Sequence, residues 1–445
     1  MQCHYISIFS IFAIVLLSFD ARAEIQQSHS GKFDDRFGYH LFDPHSISSN
    51  LQMVSLDKKI QFNSWSGVFA ARAWHEASYI NDGQEYPNSL RQADSEELTL
   101  RDFYLQYKVE NTFIRIGNQQ VVWGEAFGFF YSDIINPKDL RDGGFRELED
   151  IRIPVPIINL KYSLDRFSIQ AIYLPKAYFN MNPLPGSDFS ARIKELNFAN
   201  TLSVNRNLSA AIEPANGEYG GRLSLNTQGI DTSWFFFSYL DRTPHYTINS
   251  SSSLPNSISL DEHHSRIFST GATLSYEKSG FVYRLEALKT FNRKYTNIIF
   301  SQAGVPSLNN PFSDESIFVL GLDLPQVEKF NFGFQYSESS ISDYFENSLR
   351  PQVQQLFSLR ASSAFSDNHT GQVIYANQTN DGSSALQLEY LYSGFDKIEF
   401  KLGADFFEGA SSSHFGSIHH ASRIYTHIRL WFSDSTSQKS ESSNL

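Results

Sequence analysis

The 445-residue chain has one cysteine, Cys3. It precedes a segment read below as a removed leader, so the mature chain has none. Disulfides, thiolate metal sites and cysteine nucleophiles are thereby excluded. Beyond Phe19 the chain also lacks any long apolar run. That excludes a helical membrane bundle, each helix of which needs about 20 apolar residues. Charged residues make up only 19%, and 36 Lys+Arg against 48 Asp+Glu leave a net charge of −12. An acidic chain with no basic stripe is not built to bind nucleic acid. What is abundant excludes disorder. Aromatics reach 15%, with 39 Phe, 22 Tyr and 5 Trp, and disordered chains are poor in them.

Ile6–Phe19 reads ISIFSIFAIVLLSF, an apolar run broken only by serines, and Ala21-Arg22-Ala23 follows as a small-x-small cleavage site. A short apolar core ending in such a site reads as a secretory signal peptide over residues 1–23, with a retained anchor as the alternative. Cys3 lies ahead of that core, where a lipidation cysteine does not sit. The expected organisation is a signal peptide (1–23), one membrane domain (24–432) and a polar tail (433–445).

Period two dominates the mature chain. Lys329–Tyr336 sets Phe330, Phe332, Phe334 and Tyr336 against Asn331, Gly333 and Gln335. Ile398–Phe406 sets Ile398, Phe400, Leu402, Ala404 and Phe406 against Glu399, Lys401, Gly403 and Asp405. Such alternation marks strands with one apolar and one polar face. A soluble sandwich would alternate too, but three features favour a membrane barrel. The polar faces carry charges such as Lys161, Arg222, Arg284 and Glu286, while the apolar faces end in aromatics, as an interfacial girdle requires. Short connections, such as 110–111 and 278–279, alternate with long polar ones at 80–96, 124–153, 175–217 and 242–263. The last strand, Arg423–Phe432 (RIYTHIRLWF), ends in Phe432 and resembles the C-terminal insertion signal of outer-membrane proteins.

Strand parity fixes the count. A strand over 55–63 must descend into its short turn, so another, placed at Phe33–Phe42, must ascend before it. The expected fold is all-β: a closed antiparallel transmembrane β-barrel of about 18 strands, or 16 if one segment is misread, with short periplasmic turns and long extracellular loops. Closure is what allows a sheet to stand in lipid. The expected place is the outer membrane of a Gram-negative bacterium, with outer-membrane lipid and the barrel-assembly machinery as partners.

One segment has the character of a motif. Arg115, Gly117, Gln119, Trp123, Gly124 and Glu125 form R-x-G-x-Q-x-x-x-W-G-E, and Asn136, Pro137 and Asp139 form N-P-x-D. A second stretch, Pro214–Arg222 (PANGEYGGR), precedes Trp234–Pro244. Together these resemble a large family of proteobacterial outer-membrane barrels of poorly defined function. The resemblance covers roughly 100–245 by motif. More loosely, the architecture is similar to porin-type and alginate-export barrels. It implies nothing about the solute.

The loop that follows the motif combines aromatics (Phe127, Phe129, Phe130, Tyr131) with charges. Asp133, Lys138, Asp139, Arg141, Asp142, Arg146 and Glu147 are the candidate pore constriction, with Glu149, Asp150 and Arg152 beside them. Folded inward, the aromatics would pack on the wall and the charges would narrow the lumen. Alternatively, Trp123-Gly124 and Asn136-Pro137 only shape a turn at the rim. Mixed charge signs imply no strong ion preference. The reading is a channel passing small or amphipathic molecules. The alternatives are a barrel-embedded lipid hydrolase or a structural or adhesive surface barrel. No nucleophile–base spacing, phosphate loop or metal motif appears, and His263-His264 and His419-His420 read as solvated loop pairs. No enzyme activity and no cofactor are expected; solute, direction and oligomeric state stay open.

Overall fold

The computed structural model describes residues 26–433, apart from 43–44, 82–85, 125–130, 145–146, 191–200, 250–256, 301 and 303–305. The leader with Cys3, the tail beyond Ser433, and Glu125, Phe127, Phe129, Phe130 and Arg146 lie outside the described residues.

Eighteen strands close into one antiparallel barrel. In chain order they are β1 Gln26–His40, β2 Ile47–Phe62, β3 Trp65–Glu76, β4 Glu96–Val109, β5 Thr112–Gln119 and β6 Val155–Leu164. Then come β7 Phe167–Leu174, β8 Glu218–Thr227, β9 Ile230–Leu240, β10 Arg266–Lys278, β11 Phe281–Lys294 and β12 Phe312–Asp323. The circuit ends with β13 Phe330–Ile341, β14 Val353–Ser366, β15 His369–Gln378, β16 Ser383–Phe395, β17 Ile398–Glu408 and β18 Arg423–Ser433. Each strand pairs with its neighbour in sequence, and β18 returns to β1 in register, with Asp34 opposite Arg429 and Gly31 opposite Phe432. The expected count of 18 therefore holds, as does the alternation of short turns with long loops.

Two boundaries differ from the sequence reading. The first strand begins at Gln26 rather than Phe33, and β2 begins at Ile47 rather than Ser55. Residues 26–32 (QQSHSGK) show no apolar face, yet Gln26 through Lys32 pair with Gln61 through Ser55. Period-two contrast exists only where one face meets lipid, whereas a strand continues for as long as its backbone finds a partner. Both strands outrun the apolar band, and the pattern fades with it. The long loops also hold small sheets of their own: Thr201–Asn205, His245–Ile248 and Ser257–His263 form one, and Asn297–Phe300 with Pro306–Asn309 another.

The two faces of the wall separate by chemistry. On β9, Trp234 and Phe236 point out and are exposed, while Phe235, Phe237 and Tyr239 point in and are buried. On β18, Ile424, Ile428, Leu430 and Phe432 are exposed, while His427 and Arg429 are buried. Apolar groups exposed over a whole circumference belong against hydrocarbon. Turn chemistry fits as well. Ser279 and Gly280 both take positive φ between β10 and β11, as a two-residue type I′ hairpin demands.

The seam between β1 and β18 is fastened twice. On the lipid side the Phe432 ring covers Gly31, where a Cβ would meet it at 2.2 Å. An aromatic over a strand glycine fixes register. On the inner side the fully buried Asp34 accepts from His427 Nε2 and Arg429 Nε, both at 2.6 Å.

Phe432→Asp should therefore block assembly and leave protein in the periplasm, while deletion of 434–445 should not. Assembly assayed by heat-modifiable migration decides it, and normal assembly of the Asp variant would overturn the role given to Phe432. Facing gives a second test on one strand. Val373 of β15 is exposed on the outer face, and Gln372 beside it points in. Val373→Arg should cost about 2–4 kcal/mol if it lies near the bilayer midplane, and Gln372→Arg little. Urea unfolding from lipid vesicles measures both; equal tolerance would mean that the faces are misassigned.

Candidate functional site

Alternation on β5 sends Ile114 and Ile116 outward and Phe113, Arg115, Gly117 and Gln119 inward. The Arg115 guanidinium donates twice to Gln106 Oε1, at 3.0 and 2.6 Å, and lies 4.2 Å over the Tyr104 ring. Gly117 has φ +130°, and a Cβ there would lie 2.1 Å from the Phe103 carbonyl oxygen, so the position requires glycine. Gln119 is fully buried; its Nε2 donates to the Ile157 carbonyl at 2.9 Å and its Oε1 accepts from Asn159 at 3.2 Å.

After Gln119 the chain leaves the sheet and crosses the inner faces of β6 to β9 as a strap, residues 120–124. Trp123, fully buried, packs on Phe235 and Phe237 at ring distances of 5.4 and 6.2 Å, and its Nε1 donates to Gln170 of β7 at 3.0 Å. Gly220 makes room for it, since a Cβ there would lie 3.1 Å from the Trp123 ring. Gly124 sits close to the Asp133 backbone and to Glu286 of β11.

Asn136 is the knot of the segment. Its Nδ2 donates to the carbonyls of Gln119 (3.1 Å) and Ile153 (2.9 Å), and its Oδ1 accepts from Val121 N at 2.8 Å. One amide thus joins the end of β5, the strap and the return to β6. Pro137 adds its carbonyl, which accepts from Ile153 N at 2.9 Å.

A buried ion pair sits behind this knot. Arg242 donates to both carboxylate oxygens of the fully buried Glu218, at 2.8 and 2.6 Å. Nη1 and Nη2 also donate to the carbonyls of Tyr178 and Ile135, each at 2.8 Å. The two motif stretches, 115–139 and 214–244, thus meet at one guanidinium.

Beyond the knot, the described loop residues reach inward-facing side chains on both sides of the barrel. Tyr131 accepts a hydrogen bond from Ser337 of β13 at 3.2 Å. Ile134 and Ile135 join an apolar cluster with Phe235, Phe237, Ile267 and Val319. On the other side, Asp150 takes Arg36 of β1 at 3.0 Å and Arg72 of β3 at 2.8 Å. Glu147 meets Arg429 of β18 at 3.2 Å and Lys401 of β17 at 3.7 Å. Burial raises the Asp150 pKa, but the two guanidiniums more than offset this and hold the carboxyl far below its usual range. Its contribution is therefore present above the unfolded value near 3.8 and is lost only as pH falls through the much lower folded value.

The other candidate charges are tied within the loop region. Asp139 accepts from Arg141 Nε at 2.8 Å, and Arg141 also reaches Glu97 at 2.7 Å and Asp94 at 3.4 Å. Asp94, at the end of the helix Asn88–Asp94, also takes Arg206 at 3.0 Å. Asp133 pairs with Arg152 at 2.6 Å, and its carbonyl accepts from Lys138 Nζ at 2.8 Å. Burial pushes the Lys138 pKa down, with Asp133 opposing. Asp142 acts electrostatically on Arg423 of β18. Asp139 and Arg141 are both buried, so they lock the loop to its neighbours. His264 stacks on Phe179 at 3.4 Å and reaches the Asp241 carbonyl at 2.7 Å. Among the described residues, no group of three or more His, Cys, Asp or Glu is placed to hold a metal.

Residues 20–407 match the model of a family described as "Protein of unknown function (DUF1302)". The chain belongs to this family. No curated protein matches it. Among solved structures, this DUF1302 member resembles Acinetobacter baumannii OccAB2, with TM-score 0.53 and 12% identity over 92% of this chain and 98% of that one. OccAB1 of the same organism gives 0.53 at 8% identity, covering 92% and 96%. OccAB3 gives 0.51 at 9%, covering 92% and 100%. These likenesses are of fold.

Sequence reasoning did not find Arg36, Arg72, Lys401 or Arg429 as partners of the loop. Their only signal was a charge at an inward position, which many strand residues share.

Removing Arg242 would leave the Glu218 charge buried and unpaired. Arg242→Met should destabilise by about 3–5 kcal/mol, and the double variant with Glu218→Gln should regain much of the loss. Unfolding of purified protein in lipid vesicles measures both. A double variant as unstable as the single one would show that the cost lies in the freed Ile135 and Tyr178 carbonyls rather than in the stranded charge.

Proposed function

We propose that this protein is an outer-membrane channel, passing small or amphipathic molecules through a lumen narrowed by the loop between β5 and β6. A closed barrel of this size is too wide for wall side chains alone to fill, so its lumen is either open or plugged. The observation that carries the reading is the attachment of one loop to opposite sides of the wall, at Ser337 and at Arg36, Arg72 and Arg429. A segment held across a lumen sets the cross-section. Its two attachments differ in kind: an apolar cluster supports the strap, and ion pairs hold the far side. Charges in a confined, low-dielectric passage act more strongly on a passing ion than they would on an exposed surface. Orientation follows from the turns, with the short-turn end in the periplasm and the long-loop end outside.

Neutralising the ionic side should free the loop while the apolar side holds. Glu147→Gln with Asp150→Asn should raise single-channel conductance or add slow current fluctuations in planar bilayers. Conductance of the parent should stay constant between about pH 8 and 5, because the Asp150 anchor does not titrate there. Parent-like currents from an assembled double variant would show that the loop is rim architecture; absence of any current from the parent would remove the channel reading.

A further inference from the structure

Beneath the strap, at the short-turn end of the lumen, lies a cavity of about 590 Å³. That is within the range of about 300–1,000 Å³ typical of small-molecule sites. Three cations face it from alternate strands: Lys108 of β4, Lys161 of β6 and Arg222 of β8. Lys108 and Lys161 stand near the β4–β5 and β6–β7 turns, at the mouth. The opposite end is roofed by Gln120, Val121 and Val122 of the strap, with Phe113 of β5 on the wall. Arg222 Nη1 reaches the Val122 carbonyl at 3.4 Å, between the two regions.

What these groups do elsewhere in the molecule sharpens the reading. Asn159 and Gln170 also line the cavity, but their amides are used on each other (2.9 Å), on Gln119 (3.2 Å) and on Trp123 (3.0 Å). They have little left for a ligand. At the loop, cations are matched by carboxylates: Arg36 and Arg72 by Asp150, Arg141 by Asp139, Arg429 by Glu147. Lys108 and Lys161 make no ion pair among the described residues. Among the described residues the lining holds one carboxylate, Glu110, in the β4–β5 turn. Thus, in a chain of net charge −12, this vestibule holds two lysines with no ion pair among the described residues, beneath a strap that contributes Val121 and Val122.

We propose that this vestibule is a binding site for a small organic anion with an apolar tail, its charged end between Lys108 and Lys161 and its tail against the strap. This deepens the channel reading by naming a solute class, and it rests on that reading only for the solute's onward passage. The paired charges at the loop give the narrowest region no strong sign preference. Selection for an anion falls to the vestibule instead. The apolar roof selects against a bare carboxylate, because burial of a tail supplies most of the favourable free energy and the lysines supply orientation.

The test separates binding from conduction. Calorimetry on the full barrel in a zwitterionic detergent would compare 4-phenylbutyrate, its amide 4-phenylbutyramide, and acetate. Phenylbutyrate should bind roughly tenfold or more tighter than either. Its affinity should fall as NaCl rises from about 0.1 to 1 M. Lys108→Gln with Lys161→Gln should raise its Kd by roughly tenfold, and Lys108→Arg with Lys161→Arg should keep it near the parent value. Equal binding of acid and amide, or an unchanged Kd in the Gln variant, overturns the proposal. In bilayers the same acid added from the short-turn side should shorten open events. A barrel that conducts but binds no phenylbutyrate overturns this site and leaves the channel; one that binds but does not conduct supports the site and removes the channel.

Discussion

Hydrocarbon offers no hydrogen bonds, so every backbone amide of a sheet that stands in lipid must find its partner within the sheet. That constraint makes the β1–β18 seam the critical junction of this molecule, because the two ends of the chain must meet in register. Phe432 over Gly31 and Asp34 between His427 and Arg429 fasten it on its two faces. The outer fastening works by shape, the inner one by charge. Each is specific to one register, since a slip of one residue would send Phe432 into the lumen and Arg429 into lipid.

Inside the closed wall the same division of labour recurs. The strap and the first part of the loop pack by burial of Trp123, Ile135, Phe235 and Phe237. The far part is held by guanidinium–carboxylate pairs. Between them Asn136 and the Arg242–Glu218 pair fix where one regime gives way to the other. A buried pair of this kind is a weak source of net stability. Its geometry, with two N–H groups on the Glu218 carboxylate and two on the Ile135 and Tyr178 carbonyls, instead sets one position for the Ile135 carbonyl. Through it two stretches about a hundred residues apart in sequence meet at one guanidinium.

Much of this was legible in the sequence, for a physical reason. Wherever a strand separates lipid from lumen, its two faces obey different solvents, and Phe330–Tyr336 or Ile398–Phe406 record that directly. Parity then supplied the first strand, although its start at Gln26 was hidden because Gln26–Lys32 carries no alternating apolar face. The motif residues Arg115, Gly117, Gln119, Trp123 and Asn136 could be picked out, but not their partners. Gln119 meets Ile157, Trp123 meets Gln170, and Asn136 meets Ile153, contacts set by barrel register rather than by spacing along the chain. Asp139 and Arg141 show the opposite difficulty. As charges in an aromatic loop they read as pore lining, yet they are spent on each other and on Asp94 and Glu97.

The position of the loop relative to the seam has a consequence for assembly. Asp150 binds Arg36 on the first strand, and Glu147 binds Arg429 on the last. A segment from the first third of the chain therefore touches both strands that meet at closure, one of them the last to be made. Until those strands are side by side, it has only half of its attachment. The full set of these contacts therefore exists only in the closed wall. The loop is thereby an internal brace across the joint between the first and last strands.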